Sequence, residues 1–281
     1  MDSGSDNLAR SVSPGGFLVV DRGNTRLKAT YMPDDAGTLP DRGIRVMEYR
    51  PSDIESLMEW VDVLKREGPL SGAMAAVGST DARLVESLRL AMGERFMMMT
   101  AATPLPIRIG YLSASTLGLD RKATACGAAA AWPCERVAVV DSGTALTIDL
   151  IDSDGSFSRG NISPGLQTRL TSLHMLTARL PALSVADLCN RRREEWGRDT
   201  SGAMWEGSLG GWIDETACRL LSASREGYGR AILTGGDSQL LMRHLPSALN
   251  ALGGAEIKID YDPHLLAKGM REIYRHHENE I

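Results

Sequence analysis

The chain has 281 residues, of which 43% are hydrophobic, and its net charge is −5. This length and this apolar content are enough for two domains, each with its own core. The negative net charge argues against a general affinity for nucleic acid or for anionic membranes, so an anionic ligand has to meet a local cluster of positive charge. No apolar run in the sequence is long enough to span a bilayer.

The N-terminus and the cysteines both bear on where the protein works. Residues 1–15 are polar, rich in serine and glycine, and lack an apolar h-region, which predicts a disordered leader and not a signal peptide. Cys126, Cys134, Cys189 and Cys218 fall at no metal-ligand or redox spacing. We therefore predict reduced thiols and a soluble cytoplasmic protein.

Strand-like and helix-like segments alternate along the first part of the chain. After an apolar strand that begins at Phe17, the apolar spacing predicts a helix over 52–68 that opens with a capping box of Ser52 and Glu55. A buried strand over 71–78 and a helix over 79–93 follow. This order is typical of an α/β protein with a largely parallel sheet.

The second part of the chain continues the alternation. We predict a helix over 163–181, with Pro164 near its start and Pro181 closing it, and a long helix over 200–227. A strand, a glycine turn and a helix follow over 230–245. We place the boundary between two halves between residues 133 and 134.

One pattern occurs twice. "FLVVDRGNTRLK" begins at Phe17 and "RVAVVDSGTALTID" begins at Arg136, and each leads from an apolar strand through aspartate and glycine to threonine. We expect Gly23 and Gly143 to adopt positive φ in tight hairpin turns, where backbone amides come close to a phosphate. The aspartate at each strand end is suited to hold a cation. A single Asp-Gly turn is an ordinary hairpin connector, whereas two such copies indicate a shared ligand.

A positive cluster accompanies the first copy. Alternation along the strand places Leu27 and Ala29 on one face and Arg26 and Lys28 on the other, with Arg22 nearby. These three cations form the local cluster that an acidic protein needs for a polyphosphate. The alternative is an ordinary solvated strand face.

The duplicated Asp-x-Gly-Thr hairpin resembles that of the actin-like ATPase and sugar kinase superfamily. In that superfamily each of two related domains offers one hairpin to the nucleotide phosphates. The resemblance implies an α/β protein of two related actin-like (ribonuclease H-like) domains, 16–133 and 134–281, with a nucleotide cleft between them.

Within that superfamily the chain is most similar to the type III pantothenate kinases. Six segments resemble family motifs and occur in the family's order: "DRGNTRLK", "YLSASTLGLDR", "VVDSGTALTID", "GNISPGLQTRLTSLHMLTARLP", "GRDTSGAMWEG" and "ILTGGDSQLL". The resemblance implies an ATP-dependent kinase that phosphorylates pantothenate to 4′-phosphopantothenate, the first step of coenzyme A biosynthesis. A catalytically silent relative that binds nucleotide and regulates another process is the alternative, and a sugar kinase is a weaker third.

The resemblance also implies a role for each substrate-side residue. Asp120 is the candidate catalytic base that orients the hydroxyl of pantothenate and accepts its proton. Tyr111, Gly118 and Arg121 are the candidate pantothenate-binding residues. The alternative for Asp120 and Arg121 is a surface ion pair at the start of a helix.

The nucleotide side follows from the same resemblance. Asp21 is the candidate Mg²⁺ ligand, and Asp141 is the candidate ligand of a monovalent cation, K⁺ or NH₄⁺. The candidate ATP-binding residues are Asp21, Gly23, Asn24, Thr25, Lys28, Gly143 and Thr144.

The family's members are homodimers with shared active sites, and Thr200 matches the threonine that reaches the neighbouring subunit's pantothenate. Its alternative role is that of an N-cap for the helix that follows. The implied partners are pantothenate, ATP and a second copy of the chain, with no nucleic acid and no membrane.

The chain departs from the family at two positions, Arg22 and Arg159. The first could hold phosphate or pair with Asp21, and the second stands where a glycine is usual and could stiffen its loop.

Overall fold

The structure is a computed structural model that describes residues 15–23, 26–34, 41–76, 81–188, 190 and 194–280. The predicted leader apart from Gly15, the predicted ATP-binding residues Asn24 and Thr25, and Cys189 lie outside the described residues. The chain divides into two compact units, Met1–Thr103 and Pro104–Ile281.

The first unit contains a five-stranded sheet in the order β3-β2-β1-β4-β5. Strands β1 and β2 form an antiparallel hairpin, β3 pairs antiparallel with β2, and β4 and β5 extend the sheet in parallel from β1. Its strands and helices are β1 (Gly16–Arg22), β2 (Leu27–Pro33), β3 (Arg45–Tyr49), α1 (Ile54–Glu67), β4 (Leu70–Ala76), α2 (Ala82–Met92) and β5 (Phe96–Met98).

Helix α1 covers this sheet with the apolar stripe that its spacing predicts, Leu57, Val61 and Leu64, all of which are buried. The predicted capping box is wrong. The helix begins at Ile54, so Asp53 holds the N-cap position, and its carboxylate accepts a hydrogen bond from the hydroxyl of Ser56.

The second unit contains a sheet in the order β10-β9-β6-β7-β8. Its elements are α3 (Leu119–Ala131), β6 (Val137–Ser142), β7 (Ala145–Ile151), β8 (Phe157–Pro164), α4 (Leu166–Leu176), α5 (Val185–Leu188), α6 (Thr200–Arg225), β9 (Arg230–Thr234), α7 (Ser238–Ala251), β10 (Lys258–Tyr261) and α8 (Leu265–Glu280). Strands β6, β7 and β8 pair antiparallel in sequence order, and β9 and β10 extend the sheet in parallel from β6. This connectivity repeats that of the first unit.

The α/β class is therefore confirmed, but the prediction of largely parallel sheets is wrong. Each sheet is mixed, because its first three strands pair antiparallel and its last two strands run parallel to the first. The predicted helix over 163–181 is too long at both ends. Pro164 is the last residue of β8, and α4 ends at Leu176 because Thr177 is extended. The long helix predicted over 200–227 is confirmed as α6.

Strand β6 shows how the second core is divided. Ala138 and Val140 face the core formed with α6 and α7, whereas Val137 and Val139 face the core formed with α3 and α8. Helices α3 and α8 touch backbone to backbone, since a Cβ on Gly269 would overlap the carbonyl of Ala123. Helix α3 thus packs within the second unit, which begins at Pro104, while the boundary predicted at 133 and 134 between related halves stays a prediction.

Candidate active site

Each Asp-Gly-Thr segment lies at the end of the first strand of its sheet. The amide of Gly143 donates to the carbonyl of Ala145 over 3.0 Å, and that of Gly23 donates to the carbonyl of Arg26 over 3.0 Å. Neither glycine has a positive φ, so that expectation is wrong. In the second hairpin the register leaves a loop of 143–145, and a loop of this length does not need the positive φ of a two-residue hairpin turn.

The space beside the second hairpin is open. Among the described residues, a Cβ added to Gly143 would meet no heavy atom within 4 Å, and one added to Gly23 would make an ordinary contact of 3.5 Å with the carbonyl of Arg26. The glycine therefore leaves a ligand free access to the backbone of this turn.

The Ile-Ser-Pro-Gly segment supports the second hairpin from one side. Gly165 donates its amide to the carbonyl of Thr144 over 3.0 Å, and the hydroxyl of Thr168 donates to the same carbonyl over 2.6 Å. A Cβ on Gly165 would overlap the carbonyl of Gly143. This close approach explains why the segment needs a glycine here.

The Thr-Gly-Gly-Asp turn supports the hairpin from the other side. Gly235 has φ +92°, and a Cβ there would overlap Oδ1 of Asp141 and lie 2.7 Å from the amide of Ser142. The amide of Asp237 donates to the carbonyl of Ser142 over 3.0 Å. Burial raises the pKa of the Asp237 carboxyl. The glycine that adopts a positive φ is thus in this turn and not in the hairpins.

Asp120 occupies the first turn of α3 with its side chain exposed. Its Oδ1 accepts a hydrogen bond of 2.8 Å from the amide of Arg121, and a Cβ on Gly118 would overlap that same oxygen. The carboxylate therefore folds back over the helix N-terminus, where the helix dipole favours a negative charge. An accessible, oriented carboxylate at this position is suited to act as a general base.

The side chain of Arg121 is buried, in contrast to its neighbour. Its Nε lies 3.0 Å from Oδ2 and 3.2 Å from Oδ1 of Asp149, and its Nη2 also bonds to Oδ1. The two side chains are 8% and 1% exposed. The alternative of a surface ion pair is therefore wrong.

Asp149 is a residue that the sequence analysis missed. Burial raises the pKa of its carboxyl, the hydrogen bonds and charge of Arg121 oppose this rise, and the charge of Asp120 adds to it. The available signal was an aspartate inside the strand "ALTIDLI", whose other residues are all uncharged. A charged side chain in such a strand needs a partner.

Aromatic rings enclose the guanidinium of Arg121. It lies 5.5 Å from the ring centroid of Tyr111 and 5.4 Å from that of Phe157, within the range of cation–π contacts. The two rings meet edge to face at 5.7 Å. The structure thus brings the predicted residues Tyr111, Arg121 and Asp120 together with Asp149.

One face of the second sheet carries the polar groups. By alternation along β6 and β7, Asp141, Thr147 and Asp149 point to the face that α3 covers, as Val139 does. Thr147 lies directly across from Asp141, and its buried hydroxyl finds no hydrogen-bond partner within the described part of the chain. A row of polar side chains therefore leads from the hairpin to the ion pair.

The positive cluster of the first hairpin is only partly as predicted. Lys28 lies directly across from Asp21 and is half-buried, with Leu27 buried on the other face. Arg26 bonds to Glu48 over 2.8 Å, and Nη1 of Arg22 lies 4.0 Å from a carboxylate oxygen of Asp81. Arg26 is thus part of a solvated strand face, which was the alternative interpretation.

Thr200 is the exposed first residue of α6. The N-cap is Asp199, whose side chain accepts a hydrogen bond of 2.6 Å from the amide of Gly202. The alternative role of Thr200 as an N-cap is therefore wrong. Arg159, the second departure from the family, lies at the surface and pairs with Glu226.

No three His, Cys, Asp or Glu side chains cluster as metal ligands among the residues that the structure describes. Asp21 and Asp141 fit a different kind of site, in which one carboxylate holds a hydrated cation and the substrate's phosphate oxygens complete the coordination. Within the same described ranges, no helix is long and apolar enough to cross a membrane.

The duplicated sheet order and the hairpin after the first strand of each sheet define a class. The fold is that of the actin-like ATPases and sugar kinases, with two related actin-like domains. It is similar to the activator of the 2-hydroxyisocaproyl-CoA dehydratase from Clostridium difficile with bound ADPNP, with a TM-score of 0.51 at 12% identity over 95% of this chain and 98% of that one.

Sequence comparison gives the family within this class. Residues 17–218 match the type III pantothenate kinase family. The chain is 31% identical over 235 residues to a type III pantothenate kinase from Porphyromonas gingivalis, covering 83% of this chain and 91% of the relative. It is 29% identical over 258 residues to one from Azobacteroides pseudotrichonymphae, covering 92% and 95%. The chain belongs to the type III pantothenate kinase family.

Proposed function

We propose that this protein transfers the γ-phosphoryl group of ATP to the primary hydroxyl of pantothenate and so forms 4′-phosphopantothenate, the first step of coenzyme A biosynthesis. The observation that carries the proposal is the exposed carboxylate of Asp120, held at the start of α3 beside the buried cation of Arg121. This pair lies in a segment that falls within the family match.

Asp120 is the general base in this proposal. Its Oδ1 is held by the amide of Arg121, and its exposed side chain is open to the substrate hydroxyl. As the hydroxyl oxygen bonds to the γ-phosphorus, the bond from that phosphorus to the bridging oxygen of ADP breaks, and the hydroxyl proton passes to Asp120.

Pantothenate carries a carboxylate, so its site needs positive charge. Arg121 supplies a cation and Tyr111 supplies an aromatic wall beside it. Gly118 precedes α3 and has no side chain to obstruct the substrate at the helix N-terminus. These features support the proposed roles of Tyr111, Gly118 and Arg121 in binding pantothenate.

Each hairpin contributes to binding ATP. We assign the phosphates to the amides of Gly143 and Thr144 in one hairpin, and to Gly23, Lys28 and the undescribed Asn24 and Thr25 in the other. The open space beside Gly143 supports this assignment. Asp21 would hold Mg²⁺, which neutralises the charge that develops on the phosphates during transfer.

Asp141 would hold the monovalent cation, K⁺ or NH₄⁺. It is the next-to-last residue of β6 and lies between Thr147 and Thr234 of the neighbouring strands, and the hydroxyl of Thr147 has no hydrogen-bond partner in the described ranges. A neutral hydroxyl next to a carboxylate is a suitable environment for a weakly bound monovalent cation.

We further propose a homodimer that works in the cytoplasm, with Thr200 reaching the partner's pantothenate. Thr200 is exposed and has no capping role to fill. Helix α4 exposes large apolar side chains, with Met175 at 74% and Leu176 at 83%, and Ile162 in β8 is 64% exposed. Met175 and Leu176 are adjacent in sequence, and exposed apolar side chains that lie together are typical of protein interfaces, which supports a contact through this helix.

A coupled assay of ADP release tests the proposed function. We expect release that depends on pantothenate and that increases when potassium is added. We expect Asp120→Asn to lower kcat by about 10²-fold or more, because general bases contribute on that order, while the far-UV spectrum stays unchanged. ADP release that is absent, or that does not depend on pantothenate, would instead indicate the catalytically silent relative.

A further inference from the structure

We propose that Asp149 is a positioning residue for phosphoryl transfer, which fixes Arg121 and through it the catalytic carboxylate of Asp120. The proposal rests on the proposed function and adds to it a residue that does not touch the substrate. It is carried by the buried ion pair, by the glycine opposite it and by the hydrogen bond that links Arg121 to Asp120.

The first step is the geometry of the pair. Both carboxylate oxygens of Asp149 face Arg121, and Nε of Arg121 lies within hydrogen-bond distance of each. Such a forked arrangement fixes the plane of the guanidinium as well as its position. Asp149 itself is fixed, because it lies in the middle of β7 between β6 and β8.

The second step is the space around the pair. Gly160 lies across from Asp149 in β8, and a Cβ there would overlap Oδ1 of Asp149 and lie 2.6 Å from Nη2 of Arg121. The rings of Tyr111 and Phe157 enclose the guanidinium. The guanidinium of Arg121 therefore has a single well-defined position. Asp149 in β7 supplies its counter-charge, and Gly160 in β8 leaves the space that it occupies.

The third step connects the pair to the reaction. Arg121 follows Asp120 directly, and its backbone amide donates to Oδ1 of Asp120. Fixing the side chain of Arg121 therefore fixes the amide that orients the base. A displacement of about 1 Å in a catalytic group is enough to lower a rate on the order of 10²-fold.

The charge balance points the same way. Asp149 compensates the charge of Arg121 from inside the protein. Without Asp149 the guanidinium would be buried without a counter-charge, which is strongly unfavourable. The side chain of Arg121 would then have to leave this position, and its displacement would disturb the amide that orients Asp120.

The test compares Asp149→Asn with a matched control. Arg230 and Asp260 form another arginine–aspartate pair in the same sheet, and the guanidinium of Arg230 lies over Trp132, just beyond the far end of α3 from Asp120. We expect Asp149→Asn to lower kcat at least about 30-fold and to raise the KM for pantothenate, with the KM for ATP changed less than about twofold. Asp260→Asn should leave kcat, the KM for pantothenate and the KM for ATP within about twofold of the wild-type values.

A merely structural role would give a different result. It would lower the melting temperature and the fraction of active enzyme, but both KM values would stay as in the wild type. In an Arg121→Met background, where the cation is absent, we expect Asp149→Asn to have no further effect on kcat. Wild-type kcat and KM for pantothenate in Asp149→Asn, or full additivity with Arg121→Met, would overturn the proposal.

Two further measurements keep the proposal testable. If Asp149→Asn does not fold, Asp149→Glu takes its place, because it keeps the charge but moves it by one methylene. We expect at least a fivefold loss of kcat in Asp149→Glu, and wild-type kinetics in this variant would overturn the proposal.

Hydrogen exchange over residues 119–122 should be faster than in the wild type in Asp149→Asn, or in Asp149→Glu in its place, and unchanged in Asp260→Asn. Exchange at the wild-type rate in the Asp149 variant would contradict the proposal. This readout needs no substrate, so it separates a failure of the positioning role from a failure of the proposed activity.

Discussion

Gly160 lies directly across from Asp149 in neighbouring strands, so close that a Cβ on Gly160 would overlap the Asp149 carboxylate. The ion pair of Asp149 with Arg121 therefore depends on the absence of a side chain in β8. The neighbouring Arg159 alternates to the other face and pairs at the surface with Glu226. The arginine at position 159 thus leaves the ion pair of Arg121 and Asp149 intact, because Gly160 faces that pair and Arg159 does not.

Gly160→Ala should displace the ion pair. We expect it to lower the free energy of unfolding by about 1–3 kcal/mol, as overpacking of an interior does, and to lower kcat for pantothenate phosphorylation. Urea denaturation and steady-state kinetics measure the two effects. Gly229→Ala is the control, because a Cβ there meets no heavy atom within 4 Å in the described part of the chain. A similar loss in both variants would contradict the steric explanation.

Gly143→Ala should separate folding from ATP binding. The added methyl group meets no heavy atom of the described residues within 4 Å, and the position needs no positive φ, so we expect an unchanged melting temperature. The same methyl group would occupy the space through which a phosphate reaches the turn, so we expect the KM for ATP to rise at least about tenfold. An ATP affinity equal to that of the wild type would show that phosphate does not bind at this hairpin.

Lys28 in β2 and Arg26 just before that strand both lie near Glu48 of β3 but should differ in effect. Arg26 is 73% exposed and paired with Glu48, and such exposed pairs contribute about 1 kcal/mol or less, so Arg26→Ala should change the KM for ATP less than about twofold. Lys28 lies beside Asp21, and Lys28→Ala should raise the KM for ATP about tenfold or more. Equal effects in the two variants would mean that the face attracts ATP only as a diffuse charge.

Asp237→Asn should stabilise the ligand-free protein in a pH-dependent way. Burial raises the pKa of this carboxyl in the folded state, so the folded protein loses stability as the pH rises from the ordinary value of about 3.9 through the raised one. Asparagine removes this loss, and we expect a higher melting temperature at pH 7 and a difference that shrinks as the pH is lowered. Asp154→Asn should instead lower the melting temperature at pH 7, because hydrogen bonds from Ser156 lower the pKa of the Asp154 carboxyl in the folded state. A higher melting temperature in that variant would contradict the reasoning.

Thr200 and Asp120 should complement each other between subunits. In a mixture of Asp120→Asn and Thr200→Ala subunits, a shared active site leaves one intact site in each mixed dimer. After exchange of equal amounts, we expect about one quarter of the wild-type activity, because half of the dimers are mixed and each has one intact site. Activity no higher than the average of the two separate variants would indicate that each subunit works alone.

The sequence was sufficient for the pattern of elements and for the family. Apolar periodicity is a local property, and it predicted the buried stripe of α1 and the whole of α6. The six motifs are also local, since each keeps its candidate site residues within a few positions. For that reason Asp120, Gly143 and Asp21 could be proposed as site residues from the chain alone, and these assignments stay predictions.

Tertiary structure decided whatever depends on two strands at once. The pairing of Arg121 with Asp149 joins residues 28 positions apart, and the space that Gly160 leaves for it exists only because β7 and β8 have this register. Likewise, Gly235 and not Gly143 carries the positive φ, because its turn has to pass over the end of β6. Hydrophobic pattern and motif order are properties of the chain, so they could be predicted from the sequence. Burial and strand register are properties of the assembled sheet, so they could not.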